Sequence, residues 1–146
     1  MKGGGDVLIG EYRYSIDVKG RLNFPAKLRE DLGEHFFIAK GLGEHCLYVY
    51  SLAEWQKFVE KFDALPFSKA RHLQRDFFAS ACEVEPDKQG RIVIPANLRE
   101  YGELTKDVVI IGASSRCEIW SKPNWEVVCE QSTPEAIEQA MDELGF

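Results

Sequence analysis

Apolar and polar side chains alternate in GEYRYSID, residues 10–17, and this pattern predicts a half-buried β-strand. Lys19-Gly20 follows as the middle of a tight turn, where glycine supplies the positive φ that the turn requires. RLNF then forms the return strand, and Pro25 lies at the first turn of a short helix, AKLRE. Two apolar runs, FFIAKG and CLYVYS, predict two further strands joined at a glycine turn.

Apolar side chains spaced every three or four residues predict longer helices. Ser51 and Glu54 form a capping box before WQKFVEKF. The apolar face of this helix is formed by Trp55, Phe58, Val59 and Phe62. PFSKARHLQRDFFASA predicts a connecting helix with three cations, Lys69, Arg71 and Arg75.

A C-terminal helix is predicted after Thr133, which is a good N-cap, with Pro134 at its first position and Glu135 in its first turn. Its apolar face consists of Ile137, Ala140, Met141 and Leu144. Helices this short are marginal alone, so the face must dock on another surface. That surface belongs either to a neighbouring subunit or to the chain's own barrel.

The first group of elements is repeated later in the chain. DVKGRLNFPAKLRE begins at Asp17 and DKQGRIVIPANLRE begins at Asp87, with eight of the fourteen positions identical. Ser51 and Trp55 also recur at the same offset of 70 residues. Two copies are too few for a solenoid, so we expect two halves that complete one another as a pseudo-twofold unit.

This duplication predicts the domain organisation and the fold class. The first repeat covers residues 6–63, a connecting helix covers 64–77, the second repeat covers 78–130 and a C-terminal helix covers 131–146. The elements are mainly β with short helices, which is an α+β fold.

Composition excludes several classes of protein. The 146 residues are 45% hydrophobic and 12% aromatic, which is enough for a packed core. No apolar run approaches the ~20 residues of a membrane-spanning helix, and the N-terminus resembles no signal peptide. Four cysteines and three histidines show no metal-binding spacing, so we expect reduced thiols, no metal, no cofactor and a cytoplasmic location.

Charge is distributed unevenly along the chain. The formal net charge is −6, which is unusual for a protein that binds nucleic acid. Residues 17–29 nevertheless carry +3 and residues 87–99 carry +2. Subtracting both from −6 leaves −11 for the remainder. Nucleic acid would therefore be repelled everywhere except at the repeated motif.

The arginines of the two turns have two possible roles. Asp17 and Arg21, like Asp87 and Arg91, flank a turn closely enough to form an ion pair, which would stabilise the turn modestly. The arginines can also contact nucleic acid. Both roles coexist if the aspartate holds the guanidinium while its remaining donors face a phosphate or a guanine edge.

The arginines of the short helices also allow two interpretations. Arg29 and Arg99 can lie on a solvated helix face, or they can contact phosphates beside Lys27. The repetition of these positions in both halves favours phosphate contact.

The motif DxxGRxxxPxxLR resembles the core of SpoVT/AbrB swapped-hairpin domains, which are bacterial DNA-binding modules. Two copies, each followed by a strand pair and a Ser-x-x-x-Trp helix start, resemble the MraZ family of transcriptional regulators. The intervening SKARHLQRDFFASA fits the same family. The resemblance covers residues 6–130 and implies a swapped-hairpin β-barrel built from both halves of one chain.

The resemblance also implies a function. Members form ring-like oligomers, octamers or dodecamers, and bind repeated promoter sites in double-stranded DNA. The implied role is repression of the division and cell-wall gene cluster, with association with the nucleoid. By the family pattern the DNA-binding residues are Lys19, Arg21, Lys27, Arg29, Arg91 and Arg99. The residues that shape the two loops are Asp17, Gly20, Asp87 and Gly90. Gln89 stands where the first copy has Lys19, so we expect the second loop to be less cationic.

Two other classes of function are weaker. The same fold serves antitoxin-like proteins that bind a partner protein, and the family resemblance also permits an operon-encoded methyltransferase as a partner. For an enzyme, the sequence offers aspartates, three histidines and four cysteines, but no nucleophile elbow, phosphate loop or set of metal ligands. His35 and His45 are expected at the surface, whereas Cys46 and Cys117 are expected in the core.

Overall fold

The computed structural model describes residues 7–146, so residue 6, the predicted start of the first repeat, lies outside it. Each half contains seven elements. Those of the first half are β1 (Glu11–Ser15), β2 (Arg21–Asn23), α1 (Ala26–Leu32), β3 (Phe36–Lys40), β4 (Leu47–Tyr50), α2 (Leu52–Asp63) and α3 (Phe67–Ser80). Those of the second half are β5 (Cys82–Val84), β6 (Arg91–Val93), α4 (Ala96–Tyr101), β7 (Asp107–Gly112), β8 (Cys117–Ser121), α5 (Lys122–Gln131) and α6 (Pro134–Leu144).

Both halves contribute to one antiparallel sheet of six strands, in the order β1-β7-β8-β4-β3-β5. Strand β1 of the first half pairs with β7 of the second, and β5 of the second half pairs with β3 of the first. The equivalent strands β4 and β8 pair with each other near the centre. The predicted α+β class and the pseudo-twofold arrangement are confirmed.

The return strands exchange partners between the halves. Strand β2 forms its ladder with β6, whereas its link to the first strand of its own half is one bridge, Ile16 to Leu22. Leu22 lies opposite Ile92, and each is only 1% exposed. A lone two-stranded hairpin is marginal in water, so burying these two side chains against a shared core ties the halves together.

The sheet separates two hydrophobic clusters. One lies beneath β2, β6, α1 and α4 and is mainly aliphatic; its members include Leu22, Leu28, Ile38, Ile92, Ile94, Leu98 and Ile110. The other lies beneath α2, α3 and α5 and is mainly aromatic; its members include Tyr48, Tyr50, Phe62, Phe77 and Trp120. The repeated turns and short helices therefore lie on one side of the sheet, and α2, α3 and α5 lie on the other.

Helix starts follow the sequence closely. The Ser51 hydroxyl accepts a hydrogen bond from the Glu54 N–H at 3.2 Å, and Thr133 caps α6 in the same way through the Ala136 N–H at 3.1 Å. Pro25, expected inside the first turn of its helix, is instead the residue before it. Its ψ of 129° is extended, and its carbonyl accepts the first helical hydrogen bonds.

The C-terminal helix packs on neither sheet, and every residue of α6 is exposed. Ile137 is 50% exposed, Met141 46% and Leu144 75%. The alternative in which its apolar face docks on the chain's own barrel is therefore wrong. Among the helices of residues 7–146, none is long and apolar enough to cross a membrane.

Candidate nucleic-acid interface

The first repeated turn is built around one carboxylate. Asp17 Oδ1 accepts hydrogen bonds from the backbone N–H groups of Lys19 and Arg21, both at 2.9 Å. Its other oxygen, Oδ2, accepts one from Arg21 Nε at 2.7 Å. Gly20 closes the turn with a φ of +84°, and its N–H donates to the Asp17 carbonyl at 3.0 Å. Aspartate is favoured here because its short side chain reaches its own backbone two residues on.

The second turn has the same geometry. Asp87 accepts from the N–H groups of Gln89 and Arg91 at 2.9 Å each, and from Arg91 Nε at 2.9 Å. Gly90 has a φ of +79°. The ion pair expected across each turn is therefore present in both halves.

These hydrogen bonds keep both aspartates ionised. The backbone N–H of Arg21 and then its guanidinium lower the pKa of Asp17 below its ordinary value. The pKa of Asp87 is lowered in the same way, first by the backbone N–H of Arg91. Each arginine is thus oriented by an aspartate that is ionised at neutral pH, and it presents the rest of its guanidinium to solvent.

The two turns meet at the two-stranded ribbon of β2 and β6. Side chains alternate along a strand, so Arg21 and Asn23 share the outer face while Leu22 points into the core. The register places Arg21 opposite Val93 and Asn23 opposite Arg91. The outer face therefore carries both arginines as diagonal neighbours, with Cα atoms about 7–8 Å apart.

Arg99 braces the turn of the other half. Its Nε donates to the Ile94 carbonyl at 3.0 Å, and its Nη1 donates to the carbonyl of Val18 at 3.3 Å. Gly20 lies against this guanidinium: a Cβ there would be 2.9 Å from Arg99 Nε and 2.5 Å from the Ile94 carbonyl oxygen. Only glycine permits so close an approach.

Arg29 of the first half has the equivalent position and braces the turn of the second half. Its Nε donates to the Phe24 carbonyl at 3.0 Å, and its guanidinium lies against Gly90, where a Cβ would be 2.8 Å from Nη2. The surrounding cavity is acidic, lined by Glu30, Glu34, Glu85 and Asp87. Arg29 and Arg99 are thus half-buried residues that cross between the halves, and neither lies simply on a solvated helix face.

Lysines supply the remaining positive charge. Lys19 and Lys27 are exposed, and neither forms a salt bridge with another residue of 7–146. Lys88, which the motif comparison did not single out, is exposed at the position equivalent to Val18. Residues 17–21 and residues 87–91 therefore carry the same formal charge, +1. The expectation that the second turn is less cationic is wrong for the turn itself. The whole motif remains less cationic because Asn97 replaces Lys27.

Sequence reasoning also missed Asn23 and Val93, which complete the ribbon's outer face. Val93 is 55% exposed, which is unusual for a strand valine beside a core. The alternation in RLN and RIV would have placed both residues outside, but the partner of each strand was needed to bring them together.

Other reactive groups show no comparable arrangement. Within residues 7–146 no group of three or more His, Cys, Asp or Glu side chains could hold a metal ion. Burial raises the pKa of the Cys117 thiol to about 12, and burial likewise raises that of Cys46, so both thiols stay protonated. His35 and His45 lie at the surface, as expected.

Comparisons with known proteins agree with the duplicated architecture. The model of the MraZ protein family, whose description includes the term antitoxin-like, matches residues 7–76 and again residues 77–144. Curated relatives of high similarity include three, each named Transcriptional regulator MraZ, from different bacteria. The protein of Caldicellulosiruptor saccharolyticus is 53% identical over 144 residues, 96% of this chain and 100% of the relative. That of Heliobacterium modesticaldum is 51% identical over 96% of this chain and 99% of its own, and that of Desulfitobacterium hafniense is 56% identical over 82% and 84%.

Proposed function

Because this chain belongs to the MraZ family of transcriptional regulators, we propose that it binds double-stranded DNA through the outer face of the β2–β6 ribbon and its two flanking turns. The observation that carries the proposal is the placement of Arg21 and Arg91 on one exposed face, each oriented by its own aspartate. No other surface of residues 7–146 repeats the same cationic unit twice at close range.

The ribbon has suitable dimensions for the major groove. Paired strands lie ~4.8 Å apart, and the groove, ~12 Å wide, admits a two-stranded ribbon. Arginine pairs with the acceptor edge of guanine and asparagine with adenine, while an apolar side chain contacts the thymine methyl group. Arg21, Arg91, Asn23 and Val93 present these three chemistries on one face. Direct reading of base edges therefore falls to the ribbon.

The lysines and the bracing arginines have supporting roles. Lys19, Lys27 and Lys88 lie beside the ribbon and bind phosphates. Arg29 and Arg99 add positive charge to the interface, but they act mainly by holding the opposite turn in place, since their Nε atoms are committed to backbone carbonyls. The acidic remainder of the chain repels DNA and confines binding to this face.

Assembly compensates for the small size of each contact. A few phosphate contacts give affinities of only ~10⁻⁴–10⁻⁶ M. Linking several sites can raise avidity by ~10²–10⁴. The protein thus acts as a ring, an octamer or dodecamer, on promoter repeats spaced to match its subunits. We place it at the nucleoid, as a repressor of the division and cell-wall gene cluster.

Substitution of the paired arginines tests this proposal. Arg21→Ala and Arg91→Ala should each weaken binding to a fragment with spaced promoter repeats by about 1–3 kcal/mol. Arg13→Ala is the matched control, because Arg13 is also exposed and also paired with a nearby acid, Glu11, but lies on β1. Binding is measured by fluorescence anisotropy at two salt concentrations. A folded, oligomeric Arg21→Ala protein with full affinity would contradict the proposal.

A second candidate function is a protein-interaction role, antitoxin-like or with a partner enzyme such as an operon-encoded methyltransferase. The exposed apolar face of α6 favours this role, because it is suited to a protein surface and lies outside the ribbon and turns proposed to bind DNA. Stoichiometric co-purification of a partner that survives the Arg21→Ala substitution would support this role.

A further inference from the structure

Helix α6 combines an uncovered apolar face with a purely acidic charge. Its eleven residues contain Glu135, Glu138, Asp142 and Glu143 and no cation, a net charge of −4. The apolar side chains Ile137, Met141 and Leu144 follow the spacing by which an amphipathic helix anchors in a groove. Helical periodicity places Glu138 and Glu143 along the two borders of this face, and Glu135 and Asp142 opposite it.

Two of the four acids are unfavourably placed for an isolated helix. Asp142 and Glu143 lie in the last turn, where the helix dipole favours cations. No acid of α6 forms a salt bridge with another residue of 7–146. A cationic surface from a second molecule would offset this charge while covering the apolar face.

The corner between α2 and α3, residues 61–71, has the complementary character. It exposes two neighbouring apolar side chains, Leu65 at 46% and Phe67 at 64%. Residues 61–71 also contain the cations Lys61, Lys69 and Arg71 and a single acid, Asp63, so the corner carries +2. None of the three cations forms a salt bridge within residues 7–146.

A rival apolar patch is less suitable. Val7 and Ile9 are 64% and 70% exposed beside the groove next to α1. That groove contains one lysine, Lys27. The α2–α3 corner offers an acidic helix three cations, so charge favours the corner.

We propose that α6 of one copy docks on the α2–α3 corner of a second copy. Both surfaces are exposed in the same chain, so neither covers the other within one molecule. The two surfaces differ, which makes the contact head-to-tail, and repeated head-to-tail contacts close into a ring when the rotation allows it. The inference rests on the ring proposed above and identifies the surfaces that form it.

Paired charge reversals test this docking. One variant carries Glu138→Lys with Glu143→Lys on the borders of α6, and the other carries Lys69→Glu with Arg71→Glu at the corner. Each variant alone brings like charges together, so each should lose assembly and sediment as a monomer. Mixed at 1:1, the two variants should reassemble in alternation, because every contact then joins opposite charges.

The matched control is Glu135→Lys with Asp142→Lys, which changes the charge of α6 by the same amount on the opposite side of the helix. It should keep the wild-type sedimentation coefficient. Phe67→Ser provides an independent variant without a change of charge and should also weaken assembly. Far-UV circular dichroism verifies that each variant is folded, which is expected because all the substituted side chains are exposed.

The outcomes separate this inference from the proposed function. If the wild type assembles and the α6 reversal sediments identically, or if the 1:1 mixture stays monomeric, the docking proposal is overturned and the ring stands. If the wild-type protein is itself monomeric, both the ring and the docking are wrong, and the apolar face of α6 would instead bind a different protein. DNA binding by the ribbon is measured separately; a monomer would still contact DNA through the ribbon, but without the avidity of several linked sites.

Discussion

The two repeated turns have nearly identical scaffolds and different outward side chains. In both, an aspartate accepts two backbone hydrogen bonds at 2.9 Å and orients an arginine, and a glycine with positive φ meets an arginine from the other half. The outward positions differ: Val18-Lys19 in the first turn becomes Lys88-Gln89 in the second. Both halves thus keep the bracing groups and the oriented arginine, whereas the two outward positions of each turn differ.

The surroundings of the two glycines differ more than the turns themselves. A Cβ at Gly20 would lie 2.5 Å from a backbone atom, the Ile94 carbonyl oxygen. A Cβ at Gly90 would meet only the end of the Arg29 side chain, which can move. The first turn therefore packs more closely against the backbone of the other half than the second turn does.

The largest predicted effect follows from this difference. Gly20→Ala combines a left-handed backbone with a clash against backbone, and should lower the free energy of unfolding by about 2–4 kcal/mol. Gly90→Ala should cost about 1–2 kcal/mol, mainly for the backbone conformation. Chemical denaturation monitored by circular dichroism measures both, and equal losses would contradict the asymmetry.

The bracing arginines should act across the halves. Arg99→Ala removes the hydrogen bond to the Val18 carbonyl and should lower the free energy of unfolding by about 1.5–3 kcal/mol, measured by chemical denaturation. It should also weaken DNA binding through the first turn, measured by fluorescence anisotropy. Arg99→Lys should behave like the alanine variant, because lysine lacks the planar group that reaches two carbonyls. If the lysine variant instead kept wild-type affinity, Arg99 would be acting only as a phosphate-binding charge.

The outward lysines should produce a smaller effect. Lys19→Gln should reduce the slope of log affinity against log salt by about 1. Converting the first turn to the second, by Val18→Lys with Lys19→Gln, restores the charge and should return the slope to its wild-type value. If that double variant prefers different bases, the position of the lysine, as well as its charge, contributes to sequence recognition.

The smallest effect concerns pH. A lowered pKa means that the stabilisation by Asp17 and Asp87 is present above the ordinary aspartate range and disappears as pH falls through the folded-state values. The contribution of these two carboxylates to the free energy of unfolding should therefore stay constant as the pH falls moderately from neutral. NMR titration of the two carboxylates measures this directly, and a titration midpoint above the ordinary aspartate value in either turn would contradict the hydrogen-bonded geometry.

Much of the fold could be predicted from the repeated pattern. The order of elements, the caps Ser51 and Thr133 and the Asp–Arg pairs follow from local chemistry and are observed. The exchange of β2 and β6 does not follow from alternation, because period-two spacing shows which side chains point inward but not which strand is the partner.

The site was harder to predict where contacts cross between halves. The positions of Arg29 and Arg99 on short helices gave no sign that each guanidinium reaches the turn of the other repeat, some 60–80 residues away in the chain. Lys88 was missed because the aligned residue of the first copy is Val18. Only the paired ribbon shows that these residues, together with Asn23 and Val93, belong to one surface.

The reactivity of lysines in the wild-type protein, with and without promoter DNA, tests the central claim most directly. DNA should protect Lys19 and Lys88 from acylation, since they flank the ribbon, and should leave Lys57 on α2 and Lys122 on α5 unchanged. Protection of the α2 and α5 lysines, with Lys19 and Lys88 still fully reactive in the complex, would place the DNA on the opposite side of the sheet and contradict the account.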